Sequence, residues 1–375
     1  MRLRARHYAS GQAIEVICAE GRILSIGPPT GEPATHQADW IAPAFFDLQI
    51  NGCGGHSFNS PQLTVDQVRH VVAVCREHGI AALCPTLVTN SFESLRHGFA
   101  TLREACVARE LDRALPAFHL EGPYISSEDG PRGAHPREFV RKPNWDEFRK
   151  LQDAAGGRIR LVTLAPELDG ALVFIEQLVA SGVVVALGHT AATARDIAAA
   201  VAAGARLSTH LGNGSHALLP RHENYLWEQL AADALTASII SDGHHLPPAV
   251  IRCLVRAKTS NRIILTCDAS SLAGLPPGRY REWDQEFEVQ AGGKVTVAGT
   301  PYLAGSGVFL DTCVSNVLRH ADVSLVEAVD MAGARPRALL GLPVRSLEAG
   351  TPADLVLFDW QPGGELHVKH TLTSD

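Results

Sequence analysis

This chain of 375 residues has no apolar run approaching the roughly 20 residues that a membrane-spanning helix needs. Its opening residues, Met1-Arg2-Leu3-Arg4-Ala5-Arg6-His7, carry positive charge but no apolar stretch behind them of the kind that marks a signal peptide. The expected location is the cytoplasm. A basic tract is also missing: the formal net charge of −7 is spread along the chain, which argues against nucleic acid or an anionic membrane as the main partner. An anionic small molecule would have to be held by a few local cations. The eight cysteines, Cys18, Cys53, Cys75, Cys84, Cys106, Cys253, Cys267 and Cys313, include no C-x-x-C pair. Most lie in apolar runs and read as reduced, buried thiols, not as a disulfide framework or a zinc knuckle.

What the chain does have is apolar content, 46% of its residues, enough for a substantial core and more length than one average domain uses. Eight apolar runs recur at 44–50, 80–86, 115–120, 159–164, 183–187, 206–209, 237–240 and 262–267. Helical patterns fill the gaps, as at 64–78, where Val68, Val71, Val72 and Cys75 share a face, and at 193–203. That rhythm predicts an α/β fold, a (β/α)₈ TIM-type barrel over 44–349. The two chain ends, 1–43 and 350–375, read instead as short alternating strands, for example 13–18, 22–27 and 353–359. Neither end can bury a sheet face alone, so together they predict one small β-sandwich domain, with 291–300 a candidate third contribution.

Seven polar residues stand at the C-terminal ends of apolar runs: Gln49, Asn51, Glu121, His189, His210, His245 and Asp268. A core has no use for them there, whereas a barrel gathers the C-terminal ends of its strands around one active site. A lone Glu121 would read as a surface ion-pair partner, and one histidine as a satisfied structural group. Glu121, His189 and His210 together supply the carboxylate and imidazole donors that suit Zn²⁺, in the number a catalytic site needs with a position left for water. Asp268 ends the most apolar strand; it is either a helix N-cap or a base beside the metal.

These residues lie in segments that resemble the amidohydrolase superfamily and, within it, the N-acetylglucosamine-6-phosphate deacetylase family. The similarity runs over almost the whole chain. It rests on Pro43-Ala44-Phe45-Phe46-Asp47-Leu48-Gln49-Ile50-Asn51-Gly52-Cys53-Gly54-Gly55, His119-Leu120-Glu121-Gly122-Pro123-Tyr124-Ile125-Ser126, Gly188-His189-Thr190, Thr209-His210-Leu211-Gly212-Asn213, Asp242-Gly243-His244-His245 and Asp268-Ala269. The ending Gly350-Thr351-Pro352-Ala353-Asp354-Leu355-Val356 is a superfamily habit. Most amidohydrolases carry His-x-His on the first strand, where this chain has Gln49-Ile50-Asn51, and amides are poor ligands for Zn²⁺. The resemblance therefore implies one divalent ion on Glu121, His189 and His210, with Gln49 and Asn51 as hydrogen-bonding groups nearby. It also implies Asp268 as base, His135 polarising an amide carbonyl, His245 on the sugar, Asn213 and Arg221 on the phosphate, and a homodimer.

The implied reaction is hydrolytic removal of acetyl from an N-acetylated amino sugar phosphate. The chain departs from the family pattern in the loop between Glu121 and His135, which is two residues longer, and after Arg221. There His222-Glu223-Asn224-Tyr225-Leu226-Trp227 replaces the family's Glu-Pro-Gly. The segment 303–308 also begins like the family's Leu-Ala-Gly-Ser and then diverges. Because these departures touch recognition and not the metal or the base, alternatives stay open: another amide, such as an unphosphorylated N-acetyl sugar, N-acetylgalactosamine-6-phosphate, an N-acyl amino acid or a cyclic ureide, or a catalytically silent binding barrel.

Overall fold

The computed structural model describes residues 1–282, 285–300 and 302–374. Eight parallel strands form its centre: β1 (Phe45–Ile50), β2 (Ile80–Val88), β3 (Phe118–Glu121), β4 (Ile159–Leu164), β5 (Val184–Leu187), β6 (Leu207–Ser208), β7 (Thr236–Ile239) and β8 (Ile263–Leu265). They pair in chain order from β1 to β8. The predicted runs and these strands coincide to within a few residues, because strands buried on both faces need unbroken apolar sequence. The predicted helices at 64–78 and 193–203 are Val65–Glu77 and Ala194–Ala202. Thr64 with Gln67 and Thr193 with Asp196 close a capping box at the start of each, satisfying backbone donors that a helix end leaves unpaired.

No continuous ladder joins β8 back to β1, and the nearly closed ring is completed by the Asp47 side chain. Its carboxylate accepts from the Gln49 backbone N–H at 2.9 Å, the Cys267 backbone N–H at 2.9 Å and the Thr266 hydroxyl. A single parallel bridge between Ile50 and Ala269 lies just above. Burial pushes the Asp47 carboxyl up from its ordinary value, and these donors work against that rise.

Alternate residues of a strand face the interior, so β2, β3, β4 and β6 climb from apolar to polar in steps of two. Phe46, Leu48, Ala82, Cys84, Ala117, Leu161, Ala186, Leu207 and Ile264 form the lower interior, with Leu340 packed among them. Above them Thr86, His119, Thr163 and Thr209 form a hydrogen-bonded chain, the His119 ring lying 3.2 Å from the Thr86 hydroxyl and 2.8 Å from that of Thr163. Two residues further along β3 stands Glu121.

The chain ends combine into one six-stranded sheet in the order His367–Leu372, Leu355–Asp359, His36–Pro43, Arg2–His7, Ala13–Ala19, Arg22–Gly27. Leu3, Val16, Ile23, Ile41, Leu355 and Leu357 bury its inner face. The segment 291–300 does not join this sheet. Its strand Lys294–Val297 belongs to a separate antiparallel sheet with Gly278–Glu282, Gln285–Val289 and Leu303–Ser306, built around Phe287, Val289 and Val295. That sheet is tied to the barrel beside Asp268: the Ser306 N–H donates to the Asp268 carbonyl and the Ser270 N–H to the Ser306 carbonyl, both at 2.9 Å.

Candidate active site

Glu121 is the last residue of β3, while His189, His210 and Asp268 lie just beyond the ends of β5, β6 and β8. The last three have φ of 53°, 29° and 52°, a region that costs a non-glycine residue roughly 1–2 kcal/mol. Strain of this kind at three strand ends marks a site whose geometry the rest of the fold imposes. Glycine is required beside His189 and beside Glu121. A Cβ on Gly188 would meet the Thr209 Cβ at 2.8 Å, and one on Gly122, whose φ is +74°, would meet the Thr89 hydroxyl at 2.2 Å.

Glu121, His189 and His210, all buried, converge on one point. Glu121 Oε1 lies 3.2 Å from His189 Nε2 and 3.0 Å from His210 Nε2, and the two imidazole nitrogens are 3.1 Å apart. Ligands about 2.0 Å from a tetrahedral metal are separated by about 3.3 Å, so these spacings match the edges of a coordination shell. His189 Nδ1 donates to the Pro131 carbonyl at 2.8 Å, which leaves its Nε2 lone pair facing the shared point. The donor set thus fits a divalent metal of the zinc type.

Asp268 is half-buried and faces this trio. Its Oδ1 accepts from Asn51 Nδ2 at 2.7 Å and Gln49 Nε2 at 3.0 Å, and Gln49 Nε2 also lies 3.0 Å from both Glu121 oxygens. The Gln49 amide bridges two carboxylates that would otherwise repel each other, and Asn51 holds the second of them. Oδ2 of Asp268 has no hydrogen-bond donor among the described residues, and the buried Oδ1 of Asn51 has no partner among them either. Desolvation and then the Glu121 charge push the Asp268 carboxyl up to about 6, with His210 and His245 pulling the other way. For Glu121, burial opposes ionisation, but hydrogen bonds and charge from His189 and His210 outweigh it and hold its carboxyl well below the usual range.

His135 is buried against His189, with ring centroids 4.3 Å apart, and its Nδ1 lies 2.8 Å from the Thr89 hydroxyl. Burial, aided by the charge of His189, lowers it to about 3, so the ring is neutral. His245 Nδ1 meets Asp242 Oδ2 at 2.7 Å, and Asp242 Oδ1 accepts the backbone N–H of both His244 and His245. Asn213 reaches the His210 carbonyl with Nδ2 at 3.3 Å. Arg221 is exposed, and its guanidinium has no partner among the described residues, so the structure does not bring it into the cluster. Three supporting residues escaped the sequence reading. His119 stands two positions before Glu121, on the alternation that carries side chains inward, Asp47 stands two before Gln49, and Asp242 lies within the quoted segment of His245.

Likeness to known proteins runs over nearly the whole chain. The amidohydrolase family model matches residues 40–373. N-acetylglucosamine-6-phosphate deacetylase of Bos taurus is 37% identical over 349 residues, covering 89% of this chain and 82% of the bovine one. N-acetylgalactosamine-6-phosphate deacetylase of Escherichia coli O157:H7 is 31% identical, covering 94% of this chain and 91% of its own. Among solved structures, a mutant N-acetyl-D-glucosamine-6-phosphate deacetylase of Mycobacterium smegmatis in complex with N-acetyl-D-glucosamine-6-phosphate superposes with a TM-score of 0.89 at 32% identity, covering 100% of this chain and 98% of its own. A parallel barrel whose strand ends present one glutamate, two histidines and a facing aspartate, matched along nearly its full length, places this chain in the amidohydrolase family.

Proposed function

We propose that this chain hydrolyses the acetamide of an N-acetylated amino sugar phosphate, foremost N-acetylglucosamine-6-phosphate, to acetate and the free amino sugar phosphate. The observation that carries this reading is the convergence of Glu121, His189 and His210 on one point with the open Oδ2 of Asp268 facing it. One divalent ion, Zn²⁺ in our reading, would be held by those three residues and supply Lewis-acid polarisation of the amide carbonyl and a lowered pKa for water. A single ion is supported by Gln49 and Asn51, whose amide groups are engaged with Glu121 and Asp268.

The chain's own groups carry the protons. Asp268 Oδ2 takes a proton from the attacking water and returns it to the departing nitrogen, since an amine anion is too poor a leaving group to depart unprotonated. His135, neutral and with Nδ1 accepting from Thr89, donates Nε2–H to the carbonyl oxygen as negative charge grows there. Asp242 fixes the His245 ring with Nε2 toward the sugar, and Asn213 with Arg221 holds the phosphate, a guanidinium being well matched to a dianion.

Metal analysis combined with acetate release from N-acetylglucosamine-6-phosphate, N-acetylgalactosamine-6-phosphate and their unphosphorylated forms tests this reading. Release from the first with one bound metal per chain is the expected outcome. No release from any of the four by metal-loaded protein would leave only the silent barrel, and equal rates with and without phosphate would remove the phosphate from the reading. A cytoplasmic homodimer is the setting we propose. Eight free thiols, seven of them buried, support the compartment, the family resemblance supports the pair, and light scattering checks the latter.

A further inference from the structure

We propose that Asn224, Tyr225 and Trp227 form a clasp that fixes the backbone on both sides of Arg221 and so sets the affinity of the site for phosphorylated sugars. The proposal rests on the reading that Arg221 meets the phosphate. It starts from a difficulty in the loop between His210 and the helix Tyr225–Ala231. That loop contains Gly212 and Gly214 at positive φ, and Leu218 on it is 91% exposed. Such a segment, with few buried side chains, would sample many conformations if left to itself.

Three side chains at the start of the helix reach back over the loop. Asn224 Nδ2 donates to the Pro220 carbonyl at 2.8 Å, and Trp227 Nε1 donates to the Arg221 carbonyl at 3.1 Å. Those carbonyls belong to the peptide units immediately before and after Arg221, so both of its flanking peptide planes are tied and its Cα has a fixed place. Asn224 Oδ1 meanwhile caps the helix, accepting from the N–H groups of Leu226 at 3.0 Å and Trp227 at 3.2 Å. One residue therefore joins the loop to the helix start.

The third tie reaches further. The ring of Tyr225 is 4% exposed and packs in the main core, which makes its hydroxyl a rigid peg. The His216 backbone N–H donates to that oxygen at 2.7 Å, and His216 Nδ1 lies 3.0 Å from it. His216 Nε2 in turn meets Glu128 Oε2 at 3.1 Å, and a Cβ on Gly130 would come within 2.9 Å of the His216 Cα. Glu128 and Gly130 belong to the loop that carries His135. The phosphate-side loop is thus clamped at two points along its length and braced against the loop above the metal cluster. All three clasp residues fall in the stretch 222–227, where this chain departs from the Glu-Pro-Gly of the family it resembles. Holding the loop in its binding conformation removes an ordering cost that would otherwise be subtracted from affinity.

The test is steady-state kinetics of the metal-loaded enzyme on phosphorylated and unphosphorylated N-acetyl sugar with Trp227→Phe, Tyr225→Phe and Arg221→Ala, alone and combined. Tyr225→Phe keeps its ring and loses the hydroxyl, Trp227→Phe replaces the indole by a smaller aromatic ring without the N–H, and thermal melts confirm that each folds. Each should raise KM for the phosphorylated sugar by about 3- to 10-fold, the range of one lost hydrogen bond, leaving kcat and the unphosphorylated reaction within about twofold. In the Arg221→Ala background neither should raise KM further. If Arg221→Ala raises KM while both Phe variants leave it alone, the clasp is refuted and the phosphate reading stands. An equal rise for both sugars, or effects that add fully to Arg221→Ala, also refutes it. If Arg221→Ala itself leaves KM unchanged, the phosphate reading fails and takes the clasp with it.

Discussion

Around Glu121, polar side chains are fixed by other polar side chains in a pocket closed to bulk water on most sides. Around Arg221, the ties run to backbone carbonyls while the guanidinium itself stands in solvent. The two arrangements suit different tasks. Stabilising charge that develops in a reaction needs groups that do not reorganise when it appears. Capturing a hydrated anion needs a charge that water can reach, launched from a backbone that has already been ordered.

The comparison breaks most completely at the metal cluster. Replacing Glu121 or His210 by alanine should strip the metal and lower kcat/KM by far more than the roughly 10- to 100-fold that losing an outer partner of a metal ligand costs. Metal content measured beside turnover checks this, and full activity without bound metal would end the metal reading. Next in size is Asp268→Asn. It should lower kcat by about 10² to 10⁴ with the metal retained and KM little changed, as removal of a general base does. Substantial turnover in that variant would contradict the assigned base. On the rim, Arg221→Ala should raise KM for the phosphorylated sugar by roughly 10- to 100-fold and leave kcat alone, the span of a lost hydrogen bond to a charged group.

A smaller effect sharpens the contrast through stability. His119 and His135 are held neutral by burial, lowered to about 4 and about 3 from 6.5. Below pH 6.5 the unfolded chain therefore binds protons that the folded chain refuses, and the metal-free protein loses stability as pH falls toward 4. Each ring contributes about 1.4 kcal/mol per pH unit to that loss. Asp268, raised to about 6, works in the opposite direction below that value, so the informative quantity is a difference. His119→Asn should remove about one ring's share of the slope in denaturant titrations between pH 6.5 and 5. An unchanged slope would show that His119 charges freely in the folded protein.

Much of this molecule was legible because its strands are buried on both faces and announce themselves as apolar runs, from 80–86 to 262–267. The polar residues that interrupt those runs at their ends were legible for the same reason: Glu121, His189, His210 and Asp268 stand where nothing apolar needs them. The closure of the ring by Asp47 was hidden, because it depends on a register between segments some 220 residues apart. The hydrogen-bonded chain through Thr86, His119 and Thr163 was hidden too, since threonine and histidine inside a strand read as ordinary strand residues. Asn224 and Trp227 act through their side chains on a neighbouring backbone, a relation that residue type does not reveal.

The sheet shared by the two chain ends also bears on how the enzyme is made. The Asp39 N–H and the Trp40 indole N–H find their acceptors at Asp359 and Trp360, 320 residues downstream. At roughly 5–20 residues per second, ribosomes leave the strand His36–Pro43 without its neighbour Leu355–Asp359 for on the order of half a minute. Because the Ala44 N–H, at the threshold of β1, donates to the Asp354 carbonyl, the first barrel strand is seated by a segment that is translated late. A nascent chain therefore holds Glu121, His189 and His210 well before it holds a finished enzyme.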